Sequence, residues 1–261
     1  MSVPQQVQDL VDQSGNSFHA KVARWFRDAG WTVTVSPYYM DQTQQKAREL
    51  DLVVEKQHVL GGTYGDERVT VVTRLFVECK FVPGHGVFWF TDKNQPAVES
   101  MVCDSDLFRR SNTYTQRHHY LLRDRVAKLF ASSPARGQQE AEPFYKALNQ
   151  ALNGLVSLRS QEPLCLGTDS RGLSAQAILD FPVVVCSSFD EVYAADFDGQ
   201  HPIERIRDNF QLEVQYAYLN QTNQPRNELF LLDFVEFARL AAFVSSIDED
   251  ARLAAFFASR N

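Results

Sequence analysis

Near the start of the chain, apolar residues recur at the spacing of one helix face: Phe18, Val22, Trp25, Phe26 and Ala29. This spacing predicts an amphipathic helix over 18–29. Asn16 or Ser17 can cap its first turn, and Gly30 can end it. Apolar residues then alternate with threonines over 31–35, which predicts a half-buried strand that stops at the following Ser-Pro pair.

A second strand pattern covers 49–56 and follows a polar stretch over 41–48. Its apolar residues fall on one face: Leu50, Leu52 and Val54. Asp51 therefore projects from the other face. A long run rich in β-branched residues follows over 69–80, after a segment over 61–66 that is typical of a turn. The simplest interpretation is a pair of adjacent antiparallel strands.

The rest of the chain mixes helical and strand patterns. Helical stripes comprise Leu122, Val126, Leu129 and Phe130, and then Phe144, Leu148, Leu152 and Leu155. The polar segment over 132–142 between them predicts an exposed connection. Strand patterns cover 181–186, 191–197 and 210–218. Helices are predicted over 234–244, where Asp233 can provide a capping box, and over 250–258.

Length and composition are those of an ordinary folded chain. It has 261 residues, of which 44% are hydrophobic and 23% charged, and this argues against a disordered or fibrous protein. No apolar stretch approaches the roughly 20 residues of a membrane helix, and the first residues lack the plan of a signal peptide. Both observations predict a cytoplasmic location. The four cysteines form no CxxC pair, and we expect them to be reduced thiols.

The triplet Glu78-Cys79-Lys80 carries the clearest chemistry. Residues two apart in a strand point the same way, so Glu78 and Lys80 share a face while Cys79 points to the opposite one. Asp51 can reach the same face if its strand pairs with theirs. Carboxylate oxygens suit Mg²⁺ or Mn²⁺, and Lys80 could orient or deprotonate a metal-bound water. Phosphodiester hydrolysis matches such a cluster.

The alternative without a catalytic role is a cross-strand salt bridge at the surface among Asp51, Glu78 and Lys80. The residues that flank these charges are strongly apolar. Charges embedded in apolar runs usually have a functional reason, and this favours the metal site.

The region from about Ser14 to Phe90 resembles the PD-(D/E)xK nuclease superfamily, which has the restriction-endonuclease-like fold. The likeness rests on the order of a helix, a strand, the segment 46–53 that contains Asp51, and the segment 76–80. The resemblance implies that Asp51 and Glu78 ligate Mg²⁺ or Mn²⁺, that the main-chain carbonyl of Cys79 assists, and that Lys80 supports the attacking water. It also implies DNA as the substrate, less often RNA.

One position departs from the family pattern. Many relatives carry an acidic residue in the first helix after an apolar one, and here His19 follows Phe18. A neutral imidazole could touch the metal, a carboxylate or a phosphate, and a partly exposed surface histidine is an equal alternative. Glu49 is a candidate to support the site, or equally a solvated charge at a strand edge.

Net charge is -7, which argues mildly against nonspecific, charge-driven binding of nucleic acid. The best local basic patch comprises Arg109, Arg110, Arg117, Arg123 and Arg125. Its composition suits phosphate contacts, and a solvated helix face explains it equally well. His118 and His119 are neighbours that would diverge on a helix, so they predict a poor chelating pair.

Loop residues after the ExK strand are weaker candidates. The segment 84–86 could form a mobile loop over the site or a simple turn. Lys93 and the polar residues after it could reach a scissile strand, although polar helix starts are common.

The sequence therefore predicts an α/β fold with a mixed central sheet flanked by helices. Residues 1–100 would form the nuclease core and residues 101–261 a helical and strand elaboration packed on it. The expected function is divalent-metal-dependent nucleic-acid hydrolysis, DNA preferred, as an effector in restriction or antiphage defence by family analogy. A homodimer and a separate targeting or sensor subunit stay open. The alternative is a noncatalytic nucleic-acid-binding or scaffolding protein.

Overall fold

A large mixed β-sheet with helices on both faces forms the framework, as the sequence predicts. The computed structural model describes residues 3–13, 15–61, 68–82, 84–105, 107–133, 143–166 and 177–258. Its α-helices are α1 (Gln5–Gln13), α2 (Gly15–Asp28), α3 (Gln95–Val102), α4 (Pro143–Leu158) and α5 (Leu240–Ala258). None of the described helices is both long enough and apolar enough to cross a bilayer.

The strands run through the whole chain. They are β1 (Thr32–Val35), β2 (Tyr38–Asp41), β3 (Lys46–Glu49), β4 (Leu52–Gly61), β5 (Arg68–Lys80), β6 (Gly86–Asp92), β7 (Arg125–Ser132), β8 (Ala177–Cys186), β9 (Val192–Asp196), β10 (Glu204–Arg205), β11 (Phe210–Leu219) and β12 (Pro225–Glu236). The 10-stranded sheet has the order β1-β4-β5-β8-β12-β11-β7-β6-β9-β10, and β2 and β3 form a separate hairpin. It therefore joins strands from both sides of residue 100.

The first strands of the sheet form a meander. β1, β4 and β5 pair antiparallel in sequence order, which confirms the predicted pairing of the strand before the turn with the strand after it. β5 then pairs parallel with β8, a strand that follows α4 in the chain. Parallel pairing needs a crossover, and α4 lies within that connection.

The central strands are buried on both faces. Leu75 and Val77 of β5 pack with α2, α3 and α5 on one face, whereas Phe76 packs with α4 and the β2–β3 hairpin on the other. A strand covered on both sides reads as a continuous apolar run without alternation.

The predicted first helix is confirmed as α2, although it begins at Gly15. Asn16 and Ser17 lie inside it, so neither caps its start, while Gly30 follows it with a φ of 82°. α1 precedes it and has no counterpart among the sequence predictions.

The predicted strand over 49–56 is interrupted. β3 ends at Glu49 and β4 begins at Leu52, with a bend between them at Asp51. Leu50 packs on the α4 face, whereas Leu52 and Val54 pack on the opposite face, so the expected single apolar face is wrong. The polar stretch over 41–48 also contains most of β3. The sequence pattern does not predict this strand, because a hairpin that packs through one side needs few apolar residues.

Two predicted helices are strands at least in part. The stripe over 122–130 becomes β7, in which Val126 is buried and Leu129 is 54% exposed. The helix predicted over 234–244 was placed too early, since β12 continues to Glu236 and α5 begins at Leu240. α5 also absorbs the predicted helix over 250–258. The helix over 144–155 is confirmed as α4.

Strand predictions at 181–186, 191–197 and 210–218 are confirmed as β8, β9 and β11. Most of the predicted turn over 61–66 and of the predicted connection over 132–142 lies outside the described residues.

β8 and β12 part from each other along the sheet. Their ladder joins Val183–Cys186 to Asp233–Glu236, whereas β8 pairs with β5 from Ala177 onward. We call the β8–β12 ladder the short seam. On its amino-terminal side the two strands enclose a cavity of about 630 Å³ that reaches from α3 to α4.

Candidate metal centre

Asp51 and Glu78 face each other at the end of the β4–β5 ladder. Leu52 pairs with Val77, which places Asp51 across from Glu78. The main-chain N–H of Asp51 donates to Oε1 of Glu78 at 3.3 Å, and Oδ2 of Asp51 accepts from the N–H of Cys79 at 2.8 Å. We call Asp51 and Glu78 the carboxylate pair. One oxygen of each carboxylate takes part in these bonds.

Burial sets the electrostatics of the carboxylate pair. Glu78 is 2% exposed, and burial together with the charge of Asp51 raises its pKa well above the usual range. Lys80 and Lys146 oppose this shift, because a nearby cation stabilises the charged carboxylate. The site thus holds closely spaced carboxylates in a poorly solvated place with two lysines beside them.

The lysines reach the carboxylate pair from different elements. Lys80 lies two residues after Glu78 in β5, so both point to the face on which Phe76 packs against α4. Lys146 is exposed in the first turns of α4. Sequence reasoning missed Lys146, because its helical spacing predicts only which residues face the core and not which strand lies beneath.

His19 supports the bend at Asp51 rather than the carboxylates. It is partly buried in α2, and its Nε2 donates to the main-chain carbonyl of Asp51 at 2.9 Å. The N–H of Ser36 donates to the same carbonyl at 2.8 Å. The bond reaches the candidate site through the backbone of Asp51, which is compatible with the site-supporting role expected for His19.

Glu49 and Tyr39 belong to the β2–β3 hairpin. The Glu49 carboxylate accepts a hydrogen bond from the Tyr38 hydroxyl, and this bond raises the pKa of Tyr38. The Glu49 carbonyl accepts from Nε2 of Gln150 at 3.0 Å. Tyr39 is buried, and its burial and the charge of Glu78 raise its pKa. Tyr39 was absent from the sequence-based candidates because the hairpin was not predicted.

The predicted basic patch is spread over several elements. Each of four arginines has a described partner: Arg110 with Ser100, Arg117 with Glu249, Arg123 with Asp208 and Arg125 with Asp196. Arg109 lies in the same loop region. β7, which begins at Arg125, is four strands from β5, or roughly 19 Å at the usual spacing between strands. The structure therefore does not bring these arginines to the carboxylate pair.

A second buried cluster of ionisable groups lies at the other face of the sheet. It contains His118, His119, Asp233 and Asp250, which we call the histidine network. His119 contacts Asp250 through Nδ1 and Asp233 through Nε2, the latter at 3.1 Å. Burial lowers the pKa of His119, but the charges of Asp250 and Asp233 outweigh it and raise the pKa to about 10.

Metal binding fits the histidine network poorly. One ligand atom from each of His118, His119 and Asp250 lies within 4.8 Å of the others. However, Nδ1 of His118 accepts from the N–H of Tyr120 at 3.2 Å, so its proton sits on Nε2, 3.4 Å from Asp250. A metal would need the lone pair of that nitrogen. The prediction that these histidines diverge is wrong, since their rings stack in a 3-10 turn at 5.0 Å.

Lys93 also belongs to the buried interior. Its ammonium group donates to the Tyr120 carbonyl at 2.7 Å and to Oε1 of Gln211 at 2.8 Å. Burial lowers its pKa to about 8. It cannot contact a scissile strand from this position, so that expectation is wrong. Asn94 caps α3, as a polar helix start suggests.

The cavity between β8 and β12 is separate from the carboxylate pair. Its walls include Phe181, Leu231 and Arg159, and none of Asp51, Glu78 or Lys80 lines it. It therefore adds nothing to the metal-site hypothesis.

Comparisons with known proteins supply no family for this chain. No protein-family model matches it, and neither the curated proteins nor the solved structures contain a match. The functional argument consequently rests on the geometry of the carboxylate pair.

Proposed function

We propose that this protein is a divalent-metal-dependent nuclease that hydrolyses phosphodiester bonds in nucleic acid, with DNA preferred. The observation that carries the proposal is the carboxylate pair, in which Asp51 lies opposite the buried Glu78 with Lys80 on the same strand face. Metal-assisted hydrolysis uses closely spaced carboxylates, which repel each other until a cation binds, and a neighbouring lysine.

The topology supports a restriction-endonuclease-like core. α2, β1, β4 and β5 follow one another in the order on which the sequence resemblance rests. The three strands are neighbours in the sheet, with α2 on one face and α4 on the other. Glu78 and Lys80 lie near the carboxyl end of β5, beside the carboxyl end of its parallel neighbour β8. Ligands of open α/β sheets commonly bind at that edge.

The residues present fit a hard divalent cation. The carboxylate pair offers oxygen donors, the ligands that Mg²⁺ and Mn²⁺ prefer, and the main-chain carbonyl of Cys79 is a third donor by family analogy. Burial and the charge of Asp51 raise the pKa of Glu78 in spite of Lys80 and Lys146, so a further positive charge beside the pair would stabilise its ionised form. A bound Mg²⁺ would supply that charge, polarise the phosphate and lower the pKa of a coordinated water.

The chain's own groups have separable tasks in this proposal. Asp51 and Glu78 hold the cation, and the bond from Asp51 to the Cys79 N–H fixes one carboxylate rotamer. Lys80 orients the attacking water or takes up its proton. Lys146 is placed to attract a phosphate, because it is exposed and close enough to Glu78 to influence its pKa.

A noncatalytic nucleic-acid-binding protein is the second candidate. His19 occupies the helical position where an acidic residue is common in the family, and it binds a main-chain carbonyl instead of adding a carboxylate. A metal would therefore have fewer acidic ligands. By analogy with the family, we propose that the protein acts in antiphage defence together with a separate targeting subunit, whether it is a nuclease or a noncatalytic binding protein.

Cleavage assays test the proposal. Linear, circular and single-stranded DNA and RNA are incubated with the protein in Mg²⁺ or Mn²⁺, beside Asp51→Ala and Lys80→Ala. We expect metal-dependent cleavage by the wild type and a loss of at least about 100-fold in each variant. Lys128→Ala is the matched control, since Lys128 lies in the distant strand β7. Cleavage that survives equally in all variants would overturn the assignment, and metal-independent binding without cleavage would support the second candidate.

A further inference from the structure

Alternate residues of β12 direct their main-chain groups towards β8. The hairpin that joins β11 to β12 closes with a bond from the N–H of Asn220 to the Gln224 carbonyl, so the even-numbered residues of β12 bond to β11. The odd-numbered residues face the other way. Leu231 accordingly offers its carbonyl to the Tyr120 hydroxyl, which donates to it at 2.9 Å.

β8 has the complementary arrangement as far as a proline. The N–H of Ser187 donates to the Lys80 carbonyl at 2.9 Å, so odd-numbered residues of β8 bond to β5 and even-numbered ones face β12. The next bond of the short seam would run from residue 182 to the Leu231 carbonyl. Because Pro182 has no N–H, that bond does not form, and the Tyr120 hydroxyl takes its place. The two strands separate at this point.

Beyond the separation, each strand presents an unpaired edge to the other. The edge of β8 comprises the main-chain groups of Ile178 and Asp180, and that of β12 comprises those of Asn227 and Leu229. No described residue pairs with these groups across the space between the strands, which we call the sheet gap. On each edge a donor and an acceptor recur at every second residue, roughly 6.6 Å apart.

The sheet gap is the cavity already described between β8 and β12. Five consecutive residues of each strand line it, over 178–182 and 227–231, so the strand edges themselves form two of its walls. Its volume of about 630 Å³ would hold roughly 20 water molecules, whereas protein interiors contain few voids larger than one. Phe181 and Leu231 are buried at its inner end, and Ile178 is 40% exposed at its mouth. The sheet gap is therefore open to a ligand from solvent.

The two sides of the sheet gap differ in polarity. On the side of α3, Met101 and Phe181 belong to an apolar wall. On the side of α4, the charged residues of the wall are Asp180, Glu228 and Arg159. Glu228 pairs with Arg159 at 3.1 Å. Side chains of a strand alternate between its two faces, so a strand with alternating apolar and polar residues would match both sides.

We propose that the sheet gap binds an extended peptide segment of a partner protein, which adds as a further strand between β8 and β12. The main chain of this segment pairs with the unpaired groups of both edges. An extended peptide fits because it repeats a donor and an acceptor on each of its sides with the spacing of the two edges. Its apolar side chains face Met101 and Phe181, and its polar side chains face Asp180 and Glu228.

Fluorescence anisotropy with labelled pentapeptides tests the proposal. The probes alternate Val, Leu or Phe with Thr, Lys or Glu, and each has a scrambled counterpart in which the apolar residues are consecutive. We expect at least one alternating peptide to bind with a Kd below about 100 µM and more tightly than its scrambled form. N-methylation of two of its main-chain nitrogens should weaken binding at least about tenfold, because two main-chain hydrogen bonds are lost.

Substitutions in the walls locate the binding. Ala97→Trp should abolish it, since Ala97 lines the sheet gap from α3, and Ala241→Trp at an exposed position of α5 is the matched control. Leu229→Pro removes one N–H that faces the sheet gap and spares the ladder with β11, so it should weaken binding about fivefold. Arg205→Pro is its control, because it removes an N–H that points away from β9 at the edge strand β10.

Amide hydrogen exchange gives a readout that does not depend on the variants, whose folding is checked by thermal unfolding. The amides of Asp180 and Leu229 should become protected when the peptide binds, and those of β10 should not change. The proposal is overturned if no peptide binds at about 1 mM, if N-methylation has no effect, or if the two tryptophan variants bind alike. Absence of protection at Asp180 and Leu229 would overturn it as well.

The peptide site does not rest on the nuclease assignment. The binding assays contain neither a divalent metal nor nucleic acid, and the cleavage assays contain no peptide. Either proposal can therefore fail while the other stands.

Discussion

Asp51 and Glu78 hold each other in place across the end of two antiparallel strands. The N–H of Asp51 bonds to the Glu78 carboxylate, and the Asp51 carboxylate bonds to the next residue along, Cys79. These bonds fix the positions of both acids but do not remove the repulsion between them. The arrangement therefore keeps two like charges close together where Glu78 is buried, and this has some cost in stability.

Replacing Glu78 with glutamine should stabilise the fold and abolish the proposed metal-dependent activity. The pKa of Glu78 is raised in the folded state, so its contribution to stability is full below the unfolded pKa and is lost as pH rises through the folded pKa. Glu78→Gln removes this loss. We expect its unfolding free energy at pH 8 to exceed that of the wild type by about 1 kcal/mol, with no difference near pH 4.

Urea unfolding at the two pH values measures this effect. Glu204→Gln is the control, because Glu204 is exposed in the edge strand β10. A glutamine variant that is less stable than the wild type at pH 8 would mean that Lys80 and Lys146 already compensate the charge.

His19→Ala should loosen the bend that presents Asp51. The lost bond from Nε2 leaves the Asp51 carbonyl with fewer partners, so we expect a loss of about 1 kcal/mol in stability. If the proposed activity holds, kcat should fall roughly tenfold while the Mn²⁺ affinity changes little, because a small misplacement impairs catalysis. His19→Gln, which keeps a side-chain N–H, should recover part of both. A large loss of Mn²⁺ affinity without a stability change would instead identify His19 as a direct ligand.

Arg74→Ala should be strongly destabilising. Arg74 is buried and donates to Asp180 at 2.7 and 3.1 Å. It also donates to the carbonyls of Arg159 and Gln161, just beyond the end of α4. Its removal leaves the partly buried Asp180 carboxylate without its hydrogen-bonded guanidinium and frees the two carbonyls, which together cost about 3–5 kcal/mol. The midpoint of urea unfolding measures the loss. The double variant Arg74→Met with Asp180→Leu should recover most of it, and a failure to do so would mean that the carbonyl bonds dominate.

The histidine network should make stability fall at alkaline pH. The pKa of His119 is about 10 when folded, so its contribution is full below pH 6.5, its usual value, and is lost as pH rises through 10. Lys93 opposes this slope, because its folded pKa of about 8 lies below that of the unfolded chain. The difference between wild type and His119→Gln isolates the histidine and should shrink by at least about 1 kcal/mol from pH 7 to 10.

At acidic pH, the stability that the histidine network contributes depends on His118. Burial lowers the pKa of His118 to about 4 in spite of Asp250, so its contribution is present above pH 6.5 and is lost as pH falls through 4. Wild type and His119→Gln share Asp233, Tyr120 and the other groups that face the network. The contributions of these groups therefore cancel in the difference between the two proteins. A difference that stays constant from pH 7 to 10 would contradict the charged state of His119, and the exposed His85→Gln is the control.

The elements that were predicted correctly are those with a local signal. α2 and α4 each bury one face, so their helical spacing is visible in the sequence. β7 was missed because Val126, the exposed Leu129 and Phe130 happen to recur at helical spacing. β12 was missed because its second half is buried on both faces, and a continuous apolar run fits more than one period. Asp233 illustrates the ambiguity, since the same residue that suggests a helix cap belongs to a buried network in β12.

In the candidate site, too, the features with a local sequence signal were predicted and those that depend on packing were not. The juxtaposition of Asp51 and Glu78 follows from neighbouring strands, and the sequence therefore predicts it. The positions of Lys146 and Tyr39 depend on how α4 and the β2–β3 hairpin pack onto the sheet, which no spacing rule encodes. His19 shows a further limit, because the bond to a main-chain carbonyl could not be anticipated from the side-chain type.

The short seam between β8 and β12 gives the molecule an order of assembly. The bond from Asp51 to Glu78 spans 27 residues, whereas the pairing of β5 with β8 joins residues such as Arg74 and Asp180 that are 106 apart. During synthesis the hairpin that carries the carboxylate pair can form first, while its neighbour is still to be made. β8 then bridges the early meander to the late strands through its last four residues.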